Sequence, residues 1–148
     1  MLSGCVFLLA LEILAVPPQQ ILDEQQIVYT GGEYKDEVFK YRLLTPKQIE
    51  DGKKYPLILY LHGAGERGQD NIAQLAYLPE QMSQPAWRAD FPCFLIAPQC
   101  RPDKKWVEVD WGEKTSRPQQ APTDQMQSPC RSWKRSFRRT PSTRREFT

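Results

Sequence analysis

The sequence predicts an α/β fold in which antiparallel opening strands lead into a parallel βαβ unit. Three observations carry this reading. Two uncharged apolar runs, Leu57–Leu61 and Pro92–Pro98, have the continuous hydrophobicity of strands buried on both faces. A segment with helical spacing separates them, and strands joined through a helix form a parallel pair. Ahead of both, Glu37 to Leu44 alternates Val38, Lys40 and Arg42 with Phe39, Tyr41 and Leu43, the period of a half-exposed antiparallel strand.

Taken in order, residues 1–20 read as a signal peptide or an apolar leader. Val6 to Val16 is apolar except for Glu12, and Ile13-Leu14-Ala15 can precede a cleavage site. Eleven residues are too few to span a bilayer, so no stable membrane span is expected. Leu2-Ser3-Gly4-Cys5 has the letters of a lipobox but precedes the apolar run instead of following it. A secreted or periplasmic location follows from the leader, with the cytoplasm as the alternative. Gln26 to Thr30 is a short β-prone run ended by Gly31-Gly32, and Thr45-Pro46 closes the next strand. A charged loop holding Asp51-Gly52 leads to Leu57–Leu61. Asp70 or Asn71 is placed to cap a helix through Ile72, Leu75, Ala76 and Leu78, with Pro79 stopping it. A looser polar stretch with Met82, Trp87 and Phe91 precedes the second buried run. Trp106 to Trp111 reads as a short strand or a loop.

From Thr115 onward the composition changes, with only Met126, Trp133, Phe137 and Phe147 able to fill a core. Seven basic residues against Glu146 alone give residues 128–148 a net charge of +6, while the other 127 residues carry −4. The mildly acidic body and the overall charge of +2 make a basic pI poor grounds for a nucleic-acid partner. Charge repulsion and weak apolarity predict a disordered tail. Its Arg/Ser/Pro/Thr text is also what a GC-rich gene yields out of frame, which places an expected frameshift near Gln127. The organisation is therefore read as leader 1–20, domain 21–127 and tail 128–148. The hydrophobic share of 40% lies below the roughly 45–50% of globular chains, lowered by that last third. Cys93 and Cys100 stand about 20 Å apart along extended chain, beyond the reach of about 7 Å between disulfide Cα atoms. Cys5 and Cys130 lie in leader and tail, so the cysteines leave the redox compartment open.

Chemistry concentrates after the first buried run. Tyr55-Pro56-Leu57-Ile58-Leu59-Tyr60-Leu61 stops at His62-Gly63-Ala64-Gly65, followed by Glu66-Arg67-Gly68-Gln69-Asp70-Asn71. Three glycines within six residues let the backbone turn sharply and present N–H groups. A buried strand ending in such a loop prepares donors for a developing oxyanion. This stretch, with Pro92 to Gln99 and Lys105 to Trp111, resembles the N-terminal part of the α/β-hydrolase superfamily, in its carboxylesterase and predicted-peptidase (phospholipase-carboxylesterase-like) branch. The resemblance covers roughly residues 25–120. It implies a small-molecule carboxylic ester as substrate, a serine nucleophile with histidine and acid, and no cofactor or metal. It also implies Ala64 and Gly65 as oxyanion-hole donors, with His62, Gly63 and Gly68 supporting their loop.

The rest of that machinery has no counterpart among these residues. No Gly-x-Ser-x-Gly occurs, and Ser3, Ser83, Ser116, Ser128, Ser132, Ser136 and Ser142 stand in leader, loops or tail. His62 is the only histidine, and a general base needs a nucleophile within about 3 Å. It therefore reads as a scaffold residue, no catalytic residue is assigned, and the chain is expected to be an inactive, truncated hydrolase. Glu66, Arg67 and Asp70 line the loop as a solvated polar set or as contacts to a polar substrate group. Glu108 and Asp110 have the spacing of paired carboxylates but nothing apolar nearby to raise a pKa. Trp106 and Trp111 read as covers of a pocket or core edge. No metal-ligand spacing or phosphate-binding glycine pattern occurs. The alternative is a non-catalytic binding module whose basic tail contacts an acidic partner.

Overall fold

The structure, a computed structural model, describes residues 16–109, 112 and 121–127. Most of the leader, Asp110, Trp111, Cys5, Cys130 and the 128–148 tail lie outside the described residues, and with them the expected signal peptide, disorder and frameshift.

A short helix, α1 (Pro18–Ile21), precedes a β-hairpin of β1 (Asp23–Gly31) and β2 (Tyr34–Leu44). Gly32 turns the hairpin with a φ of +55°, the left-handed conformation that a tight two-residue loop needs and glycine supplies. Next come β3 (Leu57–Leu59), 3₁₀ turns at Ala64–Glu66 and Ala73–Leu75, helices α2 (Leu78–Ser83) and α3 (Pro85–Asp90), and β4 (Phe94–Pro98). The sheet order is β1-β2-β4-β3. β2 runs antiparallel to β1 and β4, whereas β3 runs parallel to β4, pairing Leu57 with Phe94 and Leu59 with Ile96. The expected antiparallel opening and parallel pair are both present.

β4 is the central strand, and all five of its residues are buried. On one face Leu95 and Ala97 join Leu44, Leu22, Leu75, Met82 and Cys93 in the core under the helices. Truncating a side chain such as Leu95 there costs on the order of 2–5 kcal/mol. Cys93 and Cys100 are free and buried, in line with the distance argument against their pairing.

Three local expectations are corrected. The helix expected from Ile72 to Leu78 is a single 3₁₀ turn, and Pro79 sits inside the first turn of α2 instead of stopping a helix. Proline fits there because the missing N–H is one that a first turn leaves without a partner. The polar stretch holding Met82 and Trp87 is not loose: it forms α2 and α3, and Pro85 starts the second in the same way. β3 is neither as long as Leu57–Leu61 nor buried on both faces, since it ends at Leu59, which is 36% exposed. It is the outer strand, hydrogen-bonded to β4 alone among the described residues.

Arg42 departs from the period-two reading of β2. Alternation places it outward with Val38 and Lys40, yet it is only 9% exposed. Its guanidinium donates to the carbonyl oxygens of Asn71 (2.9 Å), Gln19 (3.3 Å) and Leu22 (3.2 Å), and Glu24 lies 3.2 Å away. A buried guanidinium is tolerable when its fork of donors and its charge are met in this way. Arg42 thereby ties α1 and β1 to the loop that follows β3.

Candidate active site

The parallel pairing of β3 and β4 puts the C-terminal ends of both strands at one edge of the sheet, where loops 60–71 and 99–109 emerge side by side. His62 is 3% exposed and sits between them. Its Nε2 accepts the Cys100 N–H at 2.9 Å, so the ring proton belongs on Nδ1, which donates to the Gly63 carbonyl at 2.6 Å. The Trp106 ring meets the imidazole edge-to-face at 5.1 Å, and Trp106 Nε1 donates to the His62 carbonyl at 2.9 Å.

Burial holds the pKa of His62 below its ordinary value. The Gly63 hydrogen bond and the Glu66 carboxylate, 4.0 Å from Nδ1, oppose that shift, while Arg67 adds to it. With both ring nitrogens spent on backbone groups, the imidazole has no lone pair left for a substrate proton. The geometry makes it a brace.

After the brace, Gly63 is extended (φ −75°, ψ −174°) and Ala64–Glu66 form a 3₁₀ turn. The first N–H groups of such a turn find no carbonyl partner within it. Ala64 and Gly65 occupy those positions. A Cβ built on Gly65 would meet nothing within 4 Å, so this side of the turn is open. Beside it lies a cleft of about 150 Å³, walled by Ala64 and Arg67 on one side and Lys105–Val107 on the other. That is half the lower limit of roughly 300 Å³ for pockets that enclose a drug-sized ligand.

The glycines of this loop are not there for left-handed backbone: among the described glycines positive φ occurs at Gly32 and Gly52, not at Gly63, Gly65 or Gly68. Gly68 is required by close approach, because a Cβ would lie 2.8 Å from Gln99 Nε2. At Gly63 a Cβ would come within 3.0 Å of Glu66 Oε2. Gly68 N–H also donates to the Cys100 carbonyl at 2.9 Å, so Cys100 binds the loop through both of its backbone groups. Asp70 is the cap, its Oδ1 accepting from Ile72 N–H (2.9 Å) and Ala73 N–H (3.1 Å), bonds that hold its carboxyl below the ordinary range.

No activated nucleophile stands among the described residues. Ser83 is buried and donates to the Glu80 carbonyl at 2.6 Å in the last turn of α2. Burial raises the pKa of the Cys93 and Cys100 thiols, which keeps them protonated at neutral pH. The described residues contain no cluster of three or more His, Cys, Asp or Glu suited to a metal, and no helix long and apolar enough to cross a membrane.

Two parts of the site escape a reading of the sequence. Gln99 is a polar residue after a strand and carries no periodic mark. The other is the segment 121–127, which falls in a composition poor in core residues yet packs onto the body. Thr123 Oγ1 donates to the Trp106 carbonyl at 2.7 Å, Gln125 Oε1 accepts Arg101 N–H at 3.1 Å, and Gln125 Nε2 donates to Tyr34 Oη at 2.8 Å.

No protein-family model matches the chain, and no curated protein matches it. Among solved structures it is similar to one described as a thermostable esterase, with a TM-score of 0.61 and 28% sequence identity over 78% of this chain. The chain spans 30% of that esterase's length. Over this shared stretch the protein has an α/β-hydrolase-like fold, with antiparallel opening strands followed by a parallel βαβ unit.

Proposed function

We propose that this chain carries the oxyanion-stabilising part of a serine carboxylic-ester hydrolase, and that its 148 residues alone do not turn over esters. The observation that carries the reading is the neutral, doubly bonded His62, which braces Gly63 at the start of a 3₁₀ turn beside an open cleft. The likeness to a thermostable esterase supports it. Attack on an ester carbonyl turns its oxygen into an alkoxide, and the Ala64 and Gly65 N–H groups are the donors assigned to that charge. A single such donor is worth about 3–4 kcal/mol, or about 10²–10³ in kcat. The nucleophile and its base are not supplied by His62, Ser83, Cys93 or Cys100, whose polar groups are buried or engaged.

The test has two arms. The purified chain should show neither p-nitrophenyl acetate hydrolysis nor fluorophosphonate labelling above its heat-denatured control. Residues 55–109 should then replace the equivalent stretch of the thermostable esterase. Ala64→Pro in that chimera removes one N–H at a first-turn position that tolerates proline. It should lower kcat by about 10²–10³ with little change in KM. Labelling of the isolated chain, or a folded Ala64→Pro chimera with undiminished kcat, would refute the reading.

A further inference from the structure

The geometry points to Gln99 as the positioning residue of the 62–71 loop, with its carboxamide as the template on which residues 66–71 are folded. Gln99 follows β4 directly, and its side chain spends every strong hydrogen-bonding atom on that one loop. Oε1 accepts the Asn71 N–H at 2.7 Å. Nε2 donates to the Glu66 carbonyl at 3.1 Å and to Asp70 Oδ1 at 2.8 Å. Both ends of the segment are thus held by one planar group, and its middle makes way for it, since Gly68 leaves only 2.8 Å between its missing Cβ and Nε2. The three partners also differ in kind. The Glu66 carbonyl belongs to the 3₁₀ turn that carries Ala64 and Gly65, Asp70 is the helix-turn cap, and Asn71 passes the linkage to Arg42 through its own carbonyl.

Only an amide meets this set of one donor and two acceptors, because a carboxylate would place a second anion against Asp70 and the Glu66 carbonyl. Protonated, the same carboxyl is near-isosteric with glutamine and regains one of the two donor bonds. The assignment therefore predicts a pH signature for Gln99→Glu that simple loss of packing does not produce. The importance of the position for catalysis rests on the oxyanion reading above; the structural role does not.

The experiment is amide hydrogen exchange, with ¹⁵N spectra, on the full chain. At pH 7.5 Gln99→Glu should exchange the Gly68 and Asn71 amides at least about tenfold faster than wild type, because the loss of both Nε2 donor bonds and the repulsion between the new carboxylate and Asp70 open the segment. The Ala64 and Gly65 amide shifts should move with them. Protection relative to wild type at the same pH should return in part on acidification, with a midpoint above the ordinary carboxylate value of about 4.3. Gln99→Leu should lose protection at every pH, as should Gly68→Ala, which displaces the carboxamide while leaving its chemistry intact. A Gln99→Glu chain that is unfolded at pH 7.5 and folds on acidification is the same result in stronger form. Wild-type protection of Gln99→Glu at pH 7.5, or a response to pH no different from that of Gln99→Leu, overturns the assignment. If the exchange signature holds while Ala64→Pro leaves the chimera's kcat intact, the oxyanion reading falls and the role of Gln99 stands. If Ala64→Pro abolishes turnover while Gln99→Glu exchanges like wild type, the converse holds.

Discussion

Replacing His62 with leucine isolates what the brace contributes. The substitution orphans the buried Cys100 N–H, which loses its 2.9 Å acceptor, and removes the edge-to-face contact with Trp106. An unsatisfied buried donor costs about 1–3 kcal/mol and such a ring pair about 0.5–1.5 kcal/mol. Together these destabilise the fold by roughly 2–4 kcal/mol, a large share of the ~5–15 kcal/mol that holds a domain folded. With a urea slope of about 1.5 kcal/mol/M, the midpoint should fall by roughly 2 M. His62→Gln carries an amide oxygen near the place of Nε2 and should recover about half of the loss, because it restores the acceptor without the ring. Acidification perturbs the same group in the wild type. The folded pKa lies below the ordinary histidine value of 6.5, so the unfolded chain takes up the proton first. The contribution of His62 is fully present above pH 6.5 and declines as pH falls below it, by at most about 1.4 kcal/mol per pH unit. His62 is the only histidine in the chain, so one set of ring signals reports both its Nδ1–H tautomer and its titration. A ring that titrates at or above 6.5, or a leucine variant with the wild-type urea midpoint, would refute the reasoning.

Two further perturbations test parts of the fold that position the site. Gly32→Ala places a Cβ 1.8 Å from the Asp124 carboxylate at a φ of +55°, and should cost about 1–2 kcal/mol from the backbone alone, plus the displacement of Asp124. In an Asp124→Ala background only the backbone share should remain, and additivity of the two changes in urea unfolding would show that the 121–127 segment does not pack on the hairpin. Leu59→Lys puts a charge on the outer strand of the sheet, where Leu59 is 36% exposed. Light scattering over a concentration series should show less self-association than wild type; a wild type that stays monomeric throughout removes the premise.

The parts of the fold that were legible in the sequence are those in which a side chain reports its own environment. Phe94, Leu95, Ile96 and Ala97 are uncharged because nothing but core surrounds them, and a buried central strand follows directly. The hairpin is announced by alternation at Val38 to Tyr41 and by a glycine pair. Arg42 and Gln99 could not be found that way. Each is a polar residue that is buried because carbonyls and amides distant in the sequence converge on it, and such partners leave no period to read. The same holds for residues 121–127, whose tie to the body runs through Thr123, Asp124 and Gln125 instead of through apolar packing. The 62–68 loop is legible as a constellation, but backbone freedom does not explain its glycines: Gly68 yields space to Gln99 and Gly63 to Glu66, while Gly65 faces open space.

That distinction explains why a loop so rich in glycine can still be precise. Once β3 leaves the ladder, with Tyr60 N–H as its last bond to Ile96, the following backbone has lost its sheet partners and must find others. Parallel strands end at the same edge, so the chain leaving β4 is the nearest source of donors and acceptors. Cys100 offers its N–H to His62 and its carbonyl to Gly68, Gln99 offers its side chain to residues 66–71, and Trp106 offers its indole to the His62 carbonyl. The second strand's exit thus continues the pairing of the first by other means, with side chains in place of a ladder. A glycine loop templated from one side keeps its opposite side open: a Cβ on Gly65 would meet nothing within 4 Å, and Ala64 lines the cleft. A loop held in this way keeps its backbone N–H groups in fixed positions without help from a sheet.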